Sequence, residues 1–367
     1  MTTGDNFLSS QYWQGALRST RWPKISSRRS LKVADFFSGC GGLSLGAYLA
    51  AVATNRTMEV RLAVDNWMPA IEVYKNNFSS VSKRIECCDA QDVVKDAIPG
   101  LDVLLAGPPC QGHSSLNNST RRNDPRNELY LSPVDFAVRN SPRLVIIENV
   151  PSVVHASQDV VNRAISQLTA SGYGCAQITV DISNFGVPQK RKRHLLVAVL
   201  GITDLEVQAK LDPILVRRSP PKLIDFLEDL QDVVDSNSPM FATTKISVEN
   251  KARIDFLFDN QFYDLPDALR PSCHRDKAHS YISMYGRMHP HIPAQTITSG
   301  FGSMGQGRFV HPTRRRMITA REAARIQGLP DYFSFEPVGG KSCLREMIAN
   351  VVPPAISAAI ISTFMQK

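Results

Sequence analysis

The chain has 367 residues, 43% of them hydrophobic, and a formal net charge of +8. A single core stops growing near roughly 250 to 300 residues, so one large domain and a smaller one are expected. The charge favours an anionic partner, nucleic acid ahead of a membrane surface, because the sequence shows no long apolar stretch and no lipidation signal.

Residues 1–30 carry scattered arginines and no continuous apolar segment of the secretory kind. They are expected to form a flexible basic lead-in of a cytosolic protein. Seven cysteines with no C-x-x-C pair argue against a disulfide framework or a structural zinc site, and leave at least one thiol free to act as a nucleophile. From Ser30 onward, short runs rich in Val, Ile and Leu alternate with helix-like segments. Strands are predicted at "LKVADFF", "VRLAVD", "RIECCD", "DVLLAG", "LVIIEN", "AQITVDI" and "HLLVAVL". Helices are predicted at Leu43 to Ala53, Pro69 to Asn77, Pro133 to Asn140 and Asp159 to Ser171. This is the rhythm of a parallel sheet covered on both faces, a doubly wound α/β domain over 31–203, and such sheets bind ligands at the carboxyl ends of their strands.

Near Leu200 the alternation stops. Residues 204–296 are irregular, with Pro220-Pro221 as a linker, and form the expected second, smaller domain. The later part, running into the next helix, carries Arg270, Arg275, Lys277, Arg287, Arg308, Arg314, Arg315 and Arg316 against the lone acid Asp276. So one-sided a cluster reads as a phosphate-contacting surface in preference to a merely solvated face. Regular structure returns in 297–367. Thr319 and Glu322 make a capping box at the head of "TAREAARIQGLP", and an apolar helix from Pro353 to Met365 is long enough to dock back on the first domain.

The candidate chemistry lies at strand ends. After the first strand, "DFFSGCGGLSLG" places Gly39, Gly41 and Gly42 in a tight turn that can bring backbone N–H groups close to a ligand. A dinucleotide fingerprint would need glycine where Ser44 stands, which speaks against a nicotinamide oxidoreductase. The next two strands end in Asp65 and Asp89, acceptors placed for a ribose or an adenine amine; with the glycine turn they suggest a nucleoside cofactor without a pyrophosphate. In "LLAGPPCQGHSS" the pair Pro108-Pro109 fixes the backbone path and so the direction of Cys110. A structural cysteine is normally buried among apolar neighbours, but a polar loop follows this one. Glu148 closes the next strand on the same rim, where a desolvated carboxyl can donate a proton near neutral pH; its plain alternative is a helix cap. In "GVPQKRKRHLLVAV", Arg191 and Arg193 share a face by the period of two and suit a carbonyl or phosphate.

With these motifs in order, "DFFSGCGG", "GPPCQG", "ENV", "QKRKR", "RMITAREAARIQGLP" and "NVVPP", the chain from Lys32 to Ile360 closely resembles the cytosine-C5 DNA methyltransferases of bacterial restriction-modification systems. The resemblance implies a Rossmann-like sheet that binds S-adenosylmethionine through Phe37, Gly39, Gly41, Gly42, Asp65, Asn66, Asp89, Ala90, Pro109, Asn350 and Val351. It implies Cys110 as the nucleophile on C6 of cytosine, Glu148 at N3 and the exocyclic amine, Arg193 at O2 and Arg191 ordering the nucleophile loop. It makes 204–296 the target-recognition domain and 297–367 the segment returning to the catalytic domain. The target is a cytosine flipped out of a short duplex sequence. A cytoplasmic monomer without metal is expected, with a cognate restriction endonuclease acting separately. His113, Ala349 and Asn66 depart from the family's pattern after "PCQG", before the last motif's Asn and after Asp65. A catalytically silent DNA-binding relative and a tRNA methyltransferase are the alternatives; intact Cys110, Glu148 and Arg193 argue against the first and the sizeable recognition segment against the second. Cys273, His274, His279, His289 and His291 offer metal-ligand types, but their spacing matches no common zinc pattern, so structural or DNA-contacting roles are expected.

Overall fold

A computed structural model describes residues 5–109, 125–156, 158–275 and 283–366. Nine strands are present among them: β1 (Ser30–Phe36), β2 (Thr57–Asp65), β3 (Ile85–Cys87), β4 (Val103–Ala106), β5 (Leu144–Asn149), β6 (Tyr173–Asp181), β7 (Gln189–Lys190), β8 (Lys192–Leu200) and β9 (Ala294–Gln295). Seven form one sheet in the order β3-β2-β1-β4-β5-β8-β6, while β7 and β9 make a separate parallel pair. Every predicted strand is found. The expected parallel, doubly wound sheet is found with one strand reversed: β8 runs antiparallel to both β5 and β6. The cause is the connection 182–191, shorter than the dozen or more residues that a parallel crossover requires.

Alternation along the strands feeds two cores. In β4, Val103 and Leu105 join one apolar cluster while Leu104 and Ala106 join the other; in β5, Leu144 and Ile146 part from Val145 and Ile147 in the same way. The first face is covered by α2 (Gly42–Ala53) and the last helix of the chain, with α3 (Met68–Phe78) beside β2; the second by α4 (Ser132–Asn140) and α5 (Val160–Ala170). Strand order reverses between β1 and β4, so the crevice beyond their carboxyl ends is the topological switch point where such sheets bind ligands.

The amino-terminal expectation is also corrected. Residues 5–17 are not a loose lead-in: α1 (Ser10–Leu17) is capped by Ser9, and Phe7, Trp13 and Leu17 are buried in the first core. The Trp13 indole donates to the Phe7 carbonyl at 3.0 Å, and Arg18 pairs with Glu228 at 2.9 Å and Asp229 at 3.2 Å.

Within 204–296, α6 (Asp204–Leu215) starts at a Thr203–Glu206 capping box and packs on β6. Beyond it come α7 (Ile224–Leu227), α8 (Val248–Asp259) and the short α9 (Ser272–Arg275). Leu223, Phe226, Ile254 and Leu257 belong to the same apolar cluster as the sheet, so the described part of this segment is continuous with the main core. The chain ends in α10 (Ala320–Ile326), α11 (Lys341–Asn350) and α12 (Pro354–Phe364). α12 lies against α2 at Gly46, where an added Cβ would sit 2.1 Å from Ser357 Oγ and 2.2 Å from the Pro354 carbonyl oxygen.

Candidate active site

At the end of β1 the chain turns through positive φ at Phe37 (55°), Gly39 (52°) and Gly41 (99°). The turn is held from the neighbouring strand. Asp65 Oδ2 accepts the Gly39 N–H at 2.8 Å and Oδ1 accepts the Trp67 N–H at 2.9 Å. Burial pushes the Asp65 carboxyl up from its ordinary value while the two N–H groups oppose the rise. Glycine is required at Gly41 by neighbours as well as by φ, and at Gly42 by neighbours alone. A Cβ on Gly41 would meet the Phe78 ring at 2.4 Å, and one on Gly42 the Val352 carbonyl oxygen at 2.3 Å. The chain just after α11 therefore lies directly over the turn, with Val351 buried and Asn350 exposed beside it.

Beneath the turn, Ser44 Oγ donates to Asp35 Oδ2 at 2.6 Å and meets the Tyr74 hydroxyl at 2.7 Å. Desolvation raises the Asp35 carboxyl to about 7 against the opposing Ser44 bond. One strand further, Asn66 donates to Asp89 Oδ1 at 2.8 Å next to buried Ala90.

The expected cofactor residues thus stand at the adjoining ends of β3, β2, β1 and β4. Their polar set fits a nucleoside: the half-buried Asp65 and exposed Asp89 carboxyls for hydroxyls and an amine, the buried Ser38 hydroxyl with no hydrogen-bond partner, and no basic side chain in the turn for a pyrophosphate.

On the other side of the switch point, β4 runs into Gly107-Pro108-Pro109. Cys110, with the expected His113 departure, lies outside the described residues. Glu148 and Asn149 close β5 and point to opposite faces. Glu148 is 6% exposed, and its Oε1 lies 2.6 Å from Arg193 Nε. The Arg193 guanidinium also donates to the Lys192 carbonyl at 2.7 Å. Asn149 was not singled out from the sequence, yet its amide donates to the Pro108 carbonyl at 3.2 Å and its own oxygen accepts the Val150 N–H at 2.8 Å. The amide end of β5 therefore pins the approach to Cys110. The signal was an amide ending an otherwise apolar buried strand, since a buried polar group must find partners.

Arg191 is buried, donating to Gln327 Oε1 at 3.0 Å and to the Ala349 carbonyl at 3.1 Å. Among these bonds it acts as a latch between the β7–β8 connection and α11. Ala349 sits inside that helix with ordinary helical backbone, so nothing at this position demands glycine.

The basic cluster of the later segment is corrected by its partners. Arg308 pairs with Asp264, Arg314 with Asp232 at 2.7 Å, Arg315 with Asp255 at 3.1 Å and with Asp259, and Arg316 with Glu322 at 2.7 Å. Arg287 lies over the rings of Phe258 and Tyr263 at 4.4 and 4.5 Å. All of these acids but Glu322, six residues from Arg316, come from distant sequence, which is why the run looked unopposed. Nearby, His289 stacks on Tyr263 at 3.8 Å and His274 meets Tyr285 edge-on. His279 lies outside the described residues, and among those described no group of three His, Cys, Asp or Glu side chains is assembled for a metal.

A model of the C-5 cytosine-specific DNA methylases matches residues 31–366. Among curated relatives, the Type II methyltransferase M1.BsuMI of Bacillus subtilis is 37% identical, covering 95% of this chain and 84% of its own. The Type II methyltransferase M.HgiDI of Herpetosiphon aurantiacus is 35% identical over 92% of this chain and 94% of its own. Among solved structures, one described as a DNA modification methyltransferase encoded within an Escherichia coli prophage superposes with a TM-score of 0.63 at 25% identity, covering 91% of this chain and 98% of that one. With the family's match running through both halves of the crevice, the chain belongs to the C-5 cytosine-specific DNA methylases.

Proposed function

We propose that this enzyme methylates C5 of a cytosine flipped out of a short duplex sequence, protecting the DNA of its host as the Type II methyltransferase of a restriction-modification system. The observation that carries the reading is the Glu148–Arg193 pair on the same rim as the Pro108-Pro109 turn held by Asn149. C5 of cytosine is too weak a nucleophile to be methylated unaided. Addition of the Cys110 thiolate to C6 makes the ring an enamine, and once C5 carries the methyl group, loss of the C5 proton expels the thiolate and restores the ring. Glu148 holds N3 and the exocyclic amine as that addition proceeds, and Arg193, released from Glu148 in part, holds O2. Arg191 orders the nucleophile loop through its ties to the carboxyl-terminal segment.

S-adenosylmethionine, when bound, supplies the electrophilic methyl group. Phe37, Gly39, Gly41 and Gly42 would line its site, with Asp65 and Asp89 as acceptors, Asn66, Ala90 and Pro109 at its edges, and Asn350 and Val351 closing it. Residues 204–296 read the target sequence, rooted on the sheet through α6. The setting is the compartment that holds the DNA, with the enzyme acting as a monomer and the endonuclease as a separate protein.

The test is substitution at the reacting pair. Cys110→Ser is expected to abolish methyl transfer while DNA binding survives, and Glu148→Gln to slow it by about 10²- to 10⁴-fold. Undiminished turnover in Cys110→Ser would remove the thiol from the reaction.

A further inference from the structure

Arg308, Arg314, Arg315 and Arg316, which the sequence alone would assign to DNA phosphates, are paired with carboxylates of the same chain, which turns attention to other cations for the phosphate grip. The strand-like stretch Gln189 to Arg193 offers two. Gln189 and Arg191 are buried, Arg193 is held against Glu148, and the alternate residues Lys190 and Lys192 are exposed. Neither lysine has a carboxylate within ion-pair distance among the described residues. Asp181 stands in register with Lys192, but its Oδ1 accepts from the Ser183 N–H and hydroxyl at 3.1 and 2.8 Å.

The backbone beneath the lysines is fixed. Gln189 Nε2 donates to Gln327 Oε1 at 2.8 Å, β7 pairs with β9 so that Lys190 faces Gln295, and the Thr296 hydroxyl donates to the Lys190 carbonyl at 3.3 Å. Gln295 and Thr296 are exposed on the same ledge. At about 3.3 Å per residue, the two ammonium stems leave the strand roughly 7 Å apart, Lys192 being next in sequence to Arg193 of the Glu148–Arg193 pair and on the alternate face of the strand.

We propose that Lys190 and Lys192, flanked by Gln295 and Thr296, form the ledge that grips the phosphate backbone of the target strand next to the flipped cytosine, and that the Arg308–Arg316 cluster, a set of mostly surface ion pairs with this chain's own carboxylates, takes no phosphate. The ledge rests on the DNA-methylating reading above and specifies where that substrate's charge is met. Its lysines carry no sequence information; they set position and affinity.

The salt dependence of binding tests it. Each phosphate contact contributes about 0.9 to the slope of log K against log salt, so Lys190→Gln with Lys192→Gln is expected to lower that slope by about 1.8. The probe is a fluorescein-labelled 30-base-pair duplex of random sequence, titrated by anisotropy between 50 and 200 mM KCl. Lys190→Arg with Lys192→Arg is expected to keep the wild-type slope, as is Arg314→Gln with Arg315→Gln. An unchanged slope in the lysine-to-glutamine variant of an enzyme that methylates DNA would overturn the ledge alone. A slope that falls in the Arg314/Arg315 variant would overturn the assignment of those arginines. Transfer of methyl groups to tRNA and none to DNA by the unsubstituted enzyme would overturn the underlying reading and the ledge with it.

Discussion

Asp35 shows how a single buried carboxyl makes the cofactor turn sensitive to pH. It is fully enclosed, one oxygen held by Ser44 and the other without a hydrogen-bond partner. Desolvation outweighs the Ser44 bond and lifts it from 3.8 to about 7. A raised carboxyl binds its proton more tightly in the folded state, so its stabilising share is complete below about 4 and is lost as pH rises through 7. Within that window the loss is about 1.4 kcal/mol per pH unit. Asp35→Asn keeps an acceptor for Ser44 and never ionises. Its urea-unfolding free energy, measured from pH 5 to 7, is expected to lack that decline, whereas parallel curves for variant and parent would rule out Asp35 as its source.

Glu322 behaves oppositely. Burial alone would raise it, but the Arg316 guanidinium and the His311 ring outweigh burial and bring it to about 2, so its contribution is present above about 4.5 and fades only as pH falls toward 2. At this scale the sequence placed Glu148, Asp65 and the glycine turn at strand ends, where the structure has them, because each ends a strand in a recognisable string. It did not reveal the Asn149–Pro108 clamp or the Asp35–Ser44–Tyr74 cluster, which depend on which residues meet across strands and helices.

Elements were legible where hydrophobic periodicity was strong. β5 matches its predicted limits residue for residue, and the four predicted helices of the first domain lie within a residue or so of their limits. Direction was not legible, since an apolar run reads the same parallel or antiparallel and β8 was reversed by the length of the connection before it. Nor was α1: its eight residues are too few to display a period, although Trp13 and Leu17 lie four apart on one buried stripe.

The contact of α2 with α12 gives a paired test. Gly46→Ala gains helix propensity of up to about 1 kcal/mol, yet its Cβ would press on the Pro354 and Ala358 backbone, which cannot swing aside as a side chain could. Overpacking wins, and a net destabilisation of about 1–2 kcal/mol is expected. Gly15→Ala in α1 has nothing within 4 Å of the added methyl and is expected to stabilise by up to about 1 kcal/mol. Denaturant midpoints read both; equal effects at the two glycines would contradict the close α2–α12 approach.

Across the whole molecule, charge is arranged differently from the way the linear sequence suggests. Eight formal positive charges remain after summing the chain, but the densest arginine run is matched by Asp232, Asp255, Asp259, Asp264 and Glu322. Among the described residues, Lys190 and Lys192 just before Arg193 are exposed with no carboxylate in ion-pair distance. The carboxyl-terminal segment completes both halves of the crevice: Val352 covers the glycine turn, while Ala349 and Gln327 hold Arg191. The chain thus leaves the sheet after β8 and returns against α2 through α12.

The most direct measurement is transfer of label from tritiated S-adenosylmethionine by the purified enzyme to DNA unmethylated at C5 and, separately, to bulk tRNA, with bisulfite sequencing of the labelled product. Label confined to cytosine C5 within one short duplex sequence is the expected result, and label in tRNA alone, or in neither polymer while DNA still binds, would contradict the account.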